Sequence, residues 1–492
     1  MMKRTIKIVF WIYTFLFVLL IGYLCKISVS DSKDFITNSY NPRLSRSSQY
    51  IKRGDILDKN GQVLAYSQKD ENGVYHRYYN DSPIFSNITG YTSKGKTGVE
   101  AKYNFMLETV SSELIQRIKD AFAGTEISGD DVVLTIDADL QRFAAEKLGN
   151  SRGAVVAMEP ASGKILAMVT YPNYDANTIN EDWERLNSPD SNSPLLNRAA
   201  QGLYPPGSIF KILTASAALG EDPEYINYNI NCEGVKRFDS STRIRCYNEK
   251  AHGNEDMTKA FAKSCNTYFS TIGTMLGIEK LNSEAYTFMF NRSLDFPLEY
   301  SKSSFSLPLD SSLSAIVETS IGQGKTLVTP LHMAMMTSAV ANGGIMMKPY
   351  IVDHSQGQNG AIKNRTIPEK LTEIMSADKA SQITELMKEV VISGTAREAA
   401  LDIPGNDNTT SGSAYTTSSS ALGVSGKIQV AGKTGTAENA GGDDHAWFVA
   451  FAPADNPQIA VAYILENAGH GSKAINGTRE IMEYYFTNCT DK

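Results

Sequence analysis

"GLYPPGSIFKILTASAALG", residues 202–220, sets two prolines and a glycine directly before a helix pattern that is apolar on nearly every face. Ile209, Phe210, Ile212, Leu213, Ala215, Ala217, Ala218 and Leu219 leave no polar stripe, so the helix is expected inside a domain. Yet Ser208 stands at its start and Lys211 on its first turn. Lysine is rarely buried unless it is paired or functional. At i and i+3 the two side chains share one helix face. Burial drives a lysine toward its neutral form, and a neutral amine beside a hydroxyl can take its proton and leave a nucleophile. The helix N-terminus supplies backbone N–H groups and positive dipole where an oxyanion would form. Taken alone, a serine N-cap with a lysine reaching out to solvent accounts for the same residues.

Outward from this helix, strand patterns stand at both ends of a long helical middle. "DDVVLTIDADLQRFAAEKLG", residues 130–149, predicts a strand, an N-cap at Asp137 and a helix with Leu140, Phe143, Ala144 and Leu148 inward. "GAVVAMEPASGKILAMVTYP", residues 153–172, reads as two apolar strands around a turn, and "HAWFVAFAP" and "QIAVAYILEN" as two more. Together they predict an α/β domain with an antiparallel sheet. Before it, "IKRGDILDKNGQVLA", residues 51–65, reads as a hairpin about Asn60-Gly61. The remainder to residue 129 is mixed and tyrosine-rich, with a helix expected at "VSSELIQRIKDAF", residues 110–122. Residues 30–49 read as a polar linker and residues 404–427 as a Ser/Thr/Gly-rich loop.

Lys3, Arg4 and Lys7 precede an uncharged run, "IVFWIYTFLFVLLIGYLC", residues 8–25. As a helix it spans about 27 Å, close to the hydrocarbon core. It reads as a retained anchor that keeps residues 1–7 in the cytoplasm and places the body outside; a signal peptide cleaved near Ser28–Ser30 is the rival. The chain has 492 residues, 42% of them hydrophobic and 21% charged, enough for more than one domain. A formal charge of −7 argues against nucleic acid as the main partner. With six histidines, a multi-histidine apparatus is not expected.

Two more short motifs follow the opening helix. "AKSCNTYFS", residues 262–270, holds Ser264 and Asn266 around Cys265, and "AGKTGTAEN", residues 431–439, holds Lys433, Thr434, Gly435 and Thr436 before a strand. Gly435, without a side chain, would let a ligand lie against a strand edge. Each is weak by itself. Ser-x-x-Lys, Ser-x-Asn and Lys-Thr-Gly in this order are the set of serine acyltransferases that react with penicillin. With "RGDILDKNGQVLA", "LTIDADLQ", "GAVVAMEPASGKILAMV", "YPPGSIFKILTA", "SIGQGKTLVTPLHMAMMTSAVANGG" and "HAWFVAFAP", the chain resembles the class B penicillin-binding proteins, and among them the short penicillin-binding protein A type.

That resemblance implies an α/β fold of the penicillin-binding transpeptidase and serine β-lactamase kind, an antiparallel sheet flanked by helices with a helical subdomain. It implies a small mixed N-terminal pedestal of the dimerisation type at residues 26–130, the transpeptidase domain at 131–488 and a single transmembrane helix at 8–25. Ser208 would attack the carbonyl between the last two D-alanines of a peptidoglycan stem peptide while Lys211 takes its proton. Ser208 and Thr436 would supply the backbone N–H groups of the oxyanion hole. Ser264 would pass a proton, with Lys211 and Lys433, to the departing D-alanine. Asn266 would hold a substrate amide, and Lys433, Thr434 and Thr436 the terminal carboxylate. No cofactor is implied for catalysis. β-Lactams would acylate Ser208, and the pedestal would dock a membrane glycosyltransferase of the elongation or division type.

Other residues carry more than one reading. Cys232, Cys246 and His252 in "NCEGVKRFDSSTRIRCYNEKAHG", residues 231–253, could hold a structural zinc ion with Asp239 among the fourth ligands; a Cys232–Cys246 disulfide and unlinked thiols are the alternatives. Cys265 reads as packing. "SIGQGKTLVTP" lacks the spacing of a phosphate loop, and "RGD" at residues 53–55 belongs to the family signature rather than to adhesion. A serine β-lactamase would need a water-activating Glu-x-x-x-Asn element, which is missing. A bifunctional enzyme would need a larger N-terminal region, and a β-lactam sensor a larger membrane portion. A D,D-carboxypeptidase is the nearest rival.

Overall fold

In the computed structural model the described residues are 2–26, 52–108, 128–403, 426–439, 441–469 and 471–489. The linker at 30–49, the helix expected at 110–122 and most of the loop at 404–427 lie outside them. Helix α1 (Met2–Lys26) is followed by β1 (Ile56–Leu57), β2 (Val63–Lys69) and β3 (Tyr75–Tyr79). Next come β4 (Asp131–Leu134), α2 (Ala138–Leu148), β5 (Gly153–Met158) and β6 (Ile165–Tyr171). The middle of the chain holds α3 (Lys211–Glu221), β7 (Ile230–Cys232), β8 (Val235–Arg237), β9 (Arg243–Arg245), β10 (Gly253–Glu255), α4 (Asn266–Thr287) and α5 (Pro330–Ala341). Then follow β11 (Ile345–Met347), β12 (Val352–Gln356), β13 (Ile362–Arg365), β14 (Lys370–Glu373), α6 (Ala377–Ile392), β15 (Leu401–Ile403) and β16 (Gly426–Ile428). The last elements are β17 (Ala431–Ala437), β18 (His445–Ala452), β19 (Ile459–Leu465) and α7 (Ser472–Asn488).

The main sheet runs β17-β18-β19-β5-β6, antiparallel throughout. Helix α5 packs on it, as do α7 and α2. Every residue of β18 and β19 is buried, which is why these strands read as unbroken apolar runs rather than as alternating patterns. Strand β17 is the edge, and it is there that polar side chains can stand at a surface without leaving the sheet. Asp137 caps α2 as its position predicts, its Oδ1 accepting from the N–H groups of Asp139 and Leu140 at 3.1 and 3.0 Å; such a cap contributes about 1 kcal/mol.

The second sheet crosses the boundary expected between residues 130 and 131. Its order is β13-β12-β4-β1-β2-β3. β4 pairs parallel with β1 and antiparallel with β12, so strands from much later in the chain complete the N-terminal sheet. The "RGD" triplet is locked inside this unit. Arg53 is buried, with its guanidinium 2.6 Å from Glu100 and 2.7 Å from Glu108, and Arg77 reaches Glu100 at 2.7 Å. Burial pushes the Glu100 carboxyl up, but the two guanidiniums hold it below its ordinary value. Removing one partner of a buried pair costs about 3–5 kcal/mol, so this triplet is a structural knot and no exposed adhesion loop.

Helix α1 contains one stretch, Ile6–Tyr23, long and apolar enough to cross a bilayer, and none of that stretch is buried in the protein.

Candidate active site

The turn that carries Ser208 is held by a close approach that only glycine permits. Gly207 has φ +54°, and a Cβ there would stand 2.3 Å from Thr436 O. The short 3₁₀ turn Gly207–Phe210 therefore lies against β17, bringing the backbones of Ser208 and Thr436 together before α3 begins. Trp447 Nε1, on β18, ties the same turn by donating to Pro205 O at 3.0 Å. Gly435 serves this packing too. A methyl group on it would stand 3.0 Å from Ile209 Cγ2 and from Trp447 Cβ, so the side it vacates is filled by protein.

Lys211 is fully buried on the first turn of α3. Its Nζ stands 3.0 Å from Ser208 Oγ, 3.1 Å from Ser264 Oγ, 2.7 Å from Ser264 O and 2.7 Å from Asn266 Oδ1. The last two are pure acceptors. A neutral amine would give its two protons to them and keep its lone pair for a hydroxyl, which is the arrangement a general base requires. The Asn266 amide is oriented by Nδ2 donating to Arg245 O at 2.8 Å, leaving one N–H for a substrate. Burial lowers the Lys211 ammonium from 10.5 to about 8, against the smaller opposing effects of Cys265, Cys246 and Glu255.

Ser264 presents two of those four contacts because its backbone is left-handed, φ +57°, an uncommon conformation for a residue other than glycine. It costs about 1–3 kcal/mol and is characteristic of functional sites. Ser264 Oγ also accepts from Lys433 Nζ at 2.9 Å, so one hydroxyl bridges two buried amines. Lys433, likewise fully buried, donates to Thr434 O at 3.0 Å and lies over the Phe261 ring. Burial first, and the charge of Lys211 second, hold its ammonium well below the ordinary value. Among the described residues neither lysine forms an ion pair, and no carboxylate is hydrogen-bonded to Ser208 or Ser264. The site thus holds two buried amines with no carboxylate bonded directly to them among the described residues.

Thr434 and Thr436 are half-buried along β17. Thr434 Oγ1 lies 2.6 Å from Thr395 Oγ1, just beyond α6. Thr395 escapes sequence reading because nothing in its own surroundings marks it; only the packing of α6 on β17 brings it to the site.

Beside Asn266, Cys232, Cys246, His252 and Cys265 gather with their ligand atoms within 4.8 Å of one another. Cys265, buried in the core as its packing reading expects, also belongs to the cluster. Two other readings change here. Cys232 and Cys246 form no disulfide, their sulfurs standing 3.7 Å apart. Asp239 is not a ligand, because its carboxylate accepts from the N–H and hydroxyl groups of Ser241 and Thr242 in its own turn.

Residues 153–483 match the penicillin-binding protein transpeptidase domain, and residues 53–132 the penicillin-binding protein A dimerisation domain. Peptidoglycan D,D-transpeptidase PbpA of Mycolicibacterium smegmatis is 33% identical over 456 residues, 87% of each chain. The penicillin-binding protein A of Mycobacterium tuberculosis, solved as an imipenem acyl-enzyme complex, superposes with a TM-score of 0.78 at 30% identity, covering 89% of this chain and 99% of that one. A D,D-transpeptidase domain from Eggerthella lenta gives a TM-score of 0.76 at 30% identity, over 88% of this chain and 98% of its own. With a buried lysine between two serines on a fold shared over most of its length, this chain belongs to the penicillin-binding protein transpeptidases, and its N-terminal part to the penicillin-binding protein A type.

Proposed function

We propose that the protein cross-links peptidoglycan as a serine D,D-transpeptidase whose acyl-enzyme forms on Ser208. The observation that carries this is the fully buried Lys211 amine, with Ser208 Oγ at 3.0 Å and two carbonyl oxygens placed to absorb its protons. Lys211 takes the Ser208 proton as Oγ attacks the penultimate D-alanine carbonyl. The N–H groups of Ser208 and Thr436 receive the oxyanion. Ser264, bridging both lysines, hands a proton to the departing D-alanine, whose carboxylate Lys433, Thr434 and Thr436 hold, while Asn266 holds a stem-peptide amide with its free N–H. A second stem's amine then attacks the acyl carbonyl. A C–N bond forms, the ester C–O bond breaks, and the amine's proton returns to Ser208. Serine transpeptidases need no catalytic cofactor, and β-lactams acylate the same hydroxyl.

The protein, incubated with lipid-linked strands and a glycan polymerase, should yield cross-linked muropeptides. Release of D-alanine without cross-links would make it a D,D-carboxypeptidase instead.

The basic residues Lys3, Arg4 and Lys7 before the apolar helix support a cytoplasmic N-terminus and a catalytic domain outside the membrane. The domain division we propose is a tail at 1–7, an anchor at 8–25, a pedestal at 26–130 completed by the later strands of its sheet, and the transpeptidase domain from 131 to 488. In the order of the chain the pedestal lies between anchor and catalytic domain, which supports its docking a membrane glycosyltransferase.

The cysteine cluster fits a structural zinc ion. Two thiolates 2.3 Å from a tetrahedral zinc stand about 3.8 Å apart, and a thiolate and an imidazole nitrogen about 3.6 Å apart. The Cys232–Cys246 and Cys246–Cys265 sulfurs are each 3.7 Å apart, and Cys232 Sγ is 3.4 Å from His252 Nδ1. Such an ion would pin residues 264–266 from behind and take no part in the reaction. Purified protein should contain about one zinc per chain and lose it in Cys246→Ser. A zinc-free protein that melts the same with and without a chelator would remove this assignment.

A further inference from the structure

The β8–β9 hairpin lies against the site from outside. Its inner face packs on α4, where Lys236 Nζ donates to Thr271 Oγ1 at 2.7 Å and Ile244 joins the core. Its register sets Arg237 opposite Arg243 and Arg245 opposite Val235, so alternation along the strands puts all three arginines on the other face. All three are exposed, and among the described residues none forms an ion pair or donates a side-chain hydrogen bond. Asp239, in the connecting turn, is already occupied by Ser241 and Thr242. Like charges directly opposite one another destabilise a strand pair. The hairpin nevertheless holds this trio in a chain whose formal charge is −7. It is also joined to the reaction centre, since Arg245 O fixes the Asn266 amide at 2.8 Å.

We propose that the Arg237, Arg243 and Arg245 face docks the carboxylates of the acceptor stem peptide. Guanidinium forks match carboxylates in pairs of parallel hydrogen bonds. The donor's terminal carboxylate is already provided for by Lys433, Thr434 and Thr436. By microscopic reversibility the incoming amine arrives where the leaving amine departed, past Ser264. The loop at residues 264–266 borders that path and the hairpin borders the loop. An anionic peptide held on the three arginines would lie next to the loop that carries Ser264 and Asn266, to which the hairpin is joined through Arg245 O. This rests on the transpeptidase reading above.

The test uses the full chain in detergent, a D-alanyl thioester donor, and two acceptors: a stem peptide with free carboxylates and the same peptide amidated. In R237Q/R243Q the apparent KM for the carboxylate acceptor should rise at least about tenfold, equivalent to about 1.4 kcal/mol. The KM for the amidated acceptor should stay within about twofold of wild type, and R237K/R243K should recover part of the loss. The penicillin acylation rate reports whether each variant is folded. Four results would overturn the proposal: no preference between acceptors in the wild type, equal effects of R237Q/R243Q on both, a loss confined to the donor acylation step, or loss of binding to vesicles of anionic lipid with acceptor KM unmoved. A wild type that only hydrolyses the donor would remove the transpeptidase reading as well, which separates the two failures.

Discussion

Ser208→Ala is expected to abolish covalent capture of penicillin, the adduct vanishing from intact-protein mass spectra while the fold survives. No other hydroxyl in the site can take over. Ser264 Oγ already serves both amines, 3.1 Å from Lys211 Nζ and 2.9 Å from Lys433 Nζ. Thr434 is paired with Thr395 across the β17 edge. Only Ser208 sits at the start of the 3₁₀ turn that Gly207 presses onto Thr436, where its own N–H and that of Thr436 can meet the oxyanion. Removing the nucleophile of a serine acyltransferase costs on the order of 10⁶ in turnover, so cross-linking should fall below detection along with labelling. The half-buried serine leaves little cavity when truncated, and the melting temperature should hardly move. Adduct formation by folded Ser208→Ala would place the nucleophile elsewhere and sink the mechanism.

Most of what makes this site legible from sequence is local. A run apolar on every face that opens on serine and carries lysine one turn in has few physical explanations. Asp137 is the cap its position predicts, and the four core strands read correctly because burial on both faces leaves unbroken apolar runs. What stays hidden is what distant segments decide. β12 and β13 complete the N-terminal sheet from more than two hundred residues further on, and β13 is exposed at every position, so no hydrophobic period announces it. Cys265 reads as packing, and it is buried in the core, but nothing in its own segment shows the cluster it joins. Its neighbours in space arrive from the β7–β10 pair, which brings Cys232 and His252, and from the base of the β8–β9 hairpin, which brings Cys246. Gly435 stands out in the sequence, but a single sequence does not show that Ile209 and Trp447 fill the space beside it. The left-handed turn at Ser264 also leaves no trace in residue type, and it is that turn which gives Lys211 both a carbonyl and a hydroxyl from one residue.

Lys211→Met should slow penicillin acylation by about 10³-fold, within the range a positioned general base contributes, because the methionine keeps the apolar stem and removes only the amine. The wild-type pH profile gives the sign independently. The base works as the neutral amine, and burial sets its ammonium at about 8. The acylation rate constant divided by the binding constant, which reports the free enzyme, should therefore rise about tenfold between about pH 7 and about pH 9 and then level off. In Lys211→Met this limb should be gone. Lys433 adds a second step to the argument. The two amines share Ser264 Oγ, at 3.1 and 2.9 Å, and like charges that close disfavour one another. A carboxylate arriving beside Thr434 and Thr436 favours the charge on Lys433, and a charged Lys433 then drives Lys211 toward its neutral form. Substrate binding would thus complete the base at the moment it is needed, and Lys433→Ala should lose this assistance while keeping the limb near pH 8. A wild-type profile that is flat across this range, or a Lys211→Met enzyme within a few-fold of wild type, would show that the Ser208 proton leaves by another route.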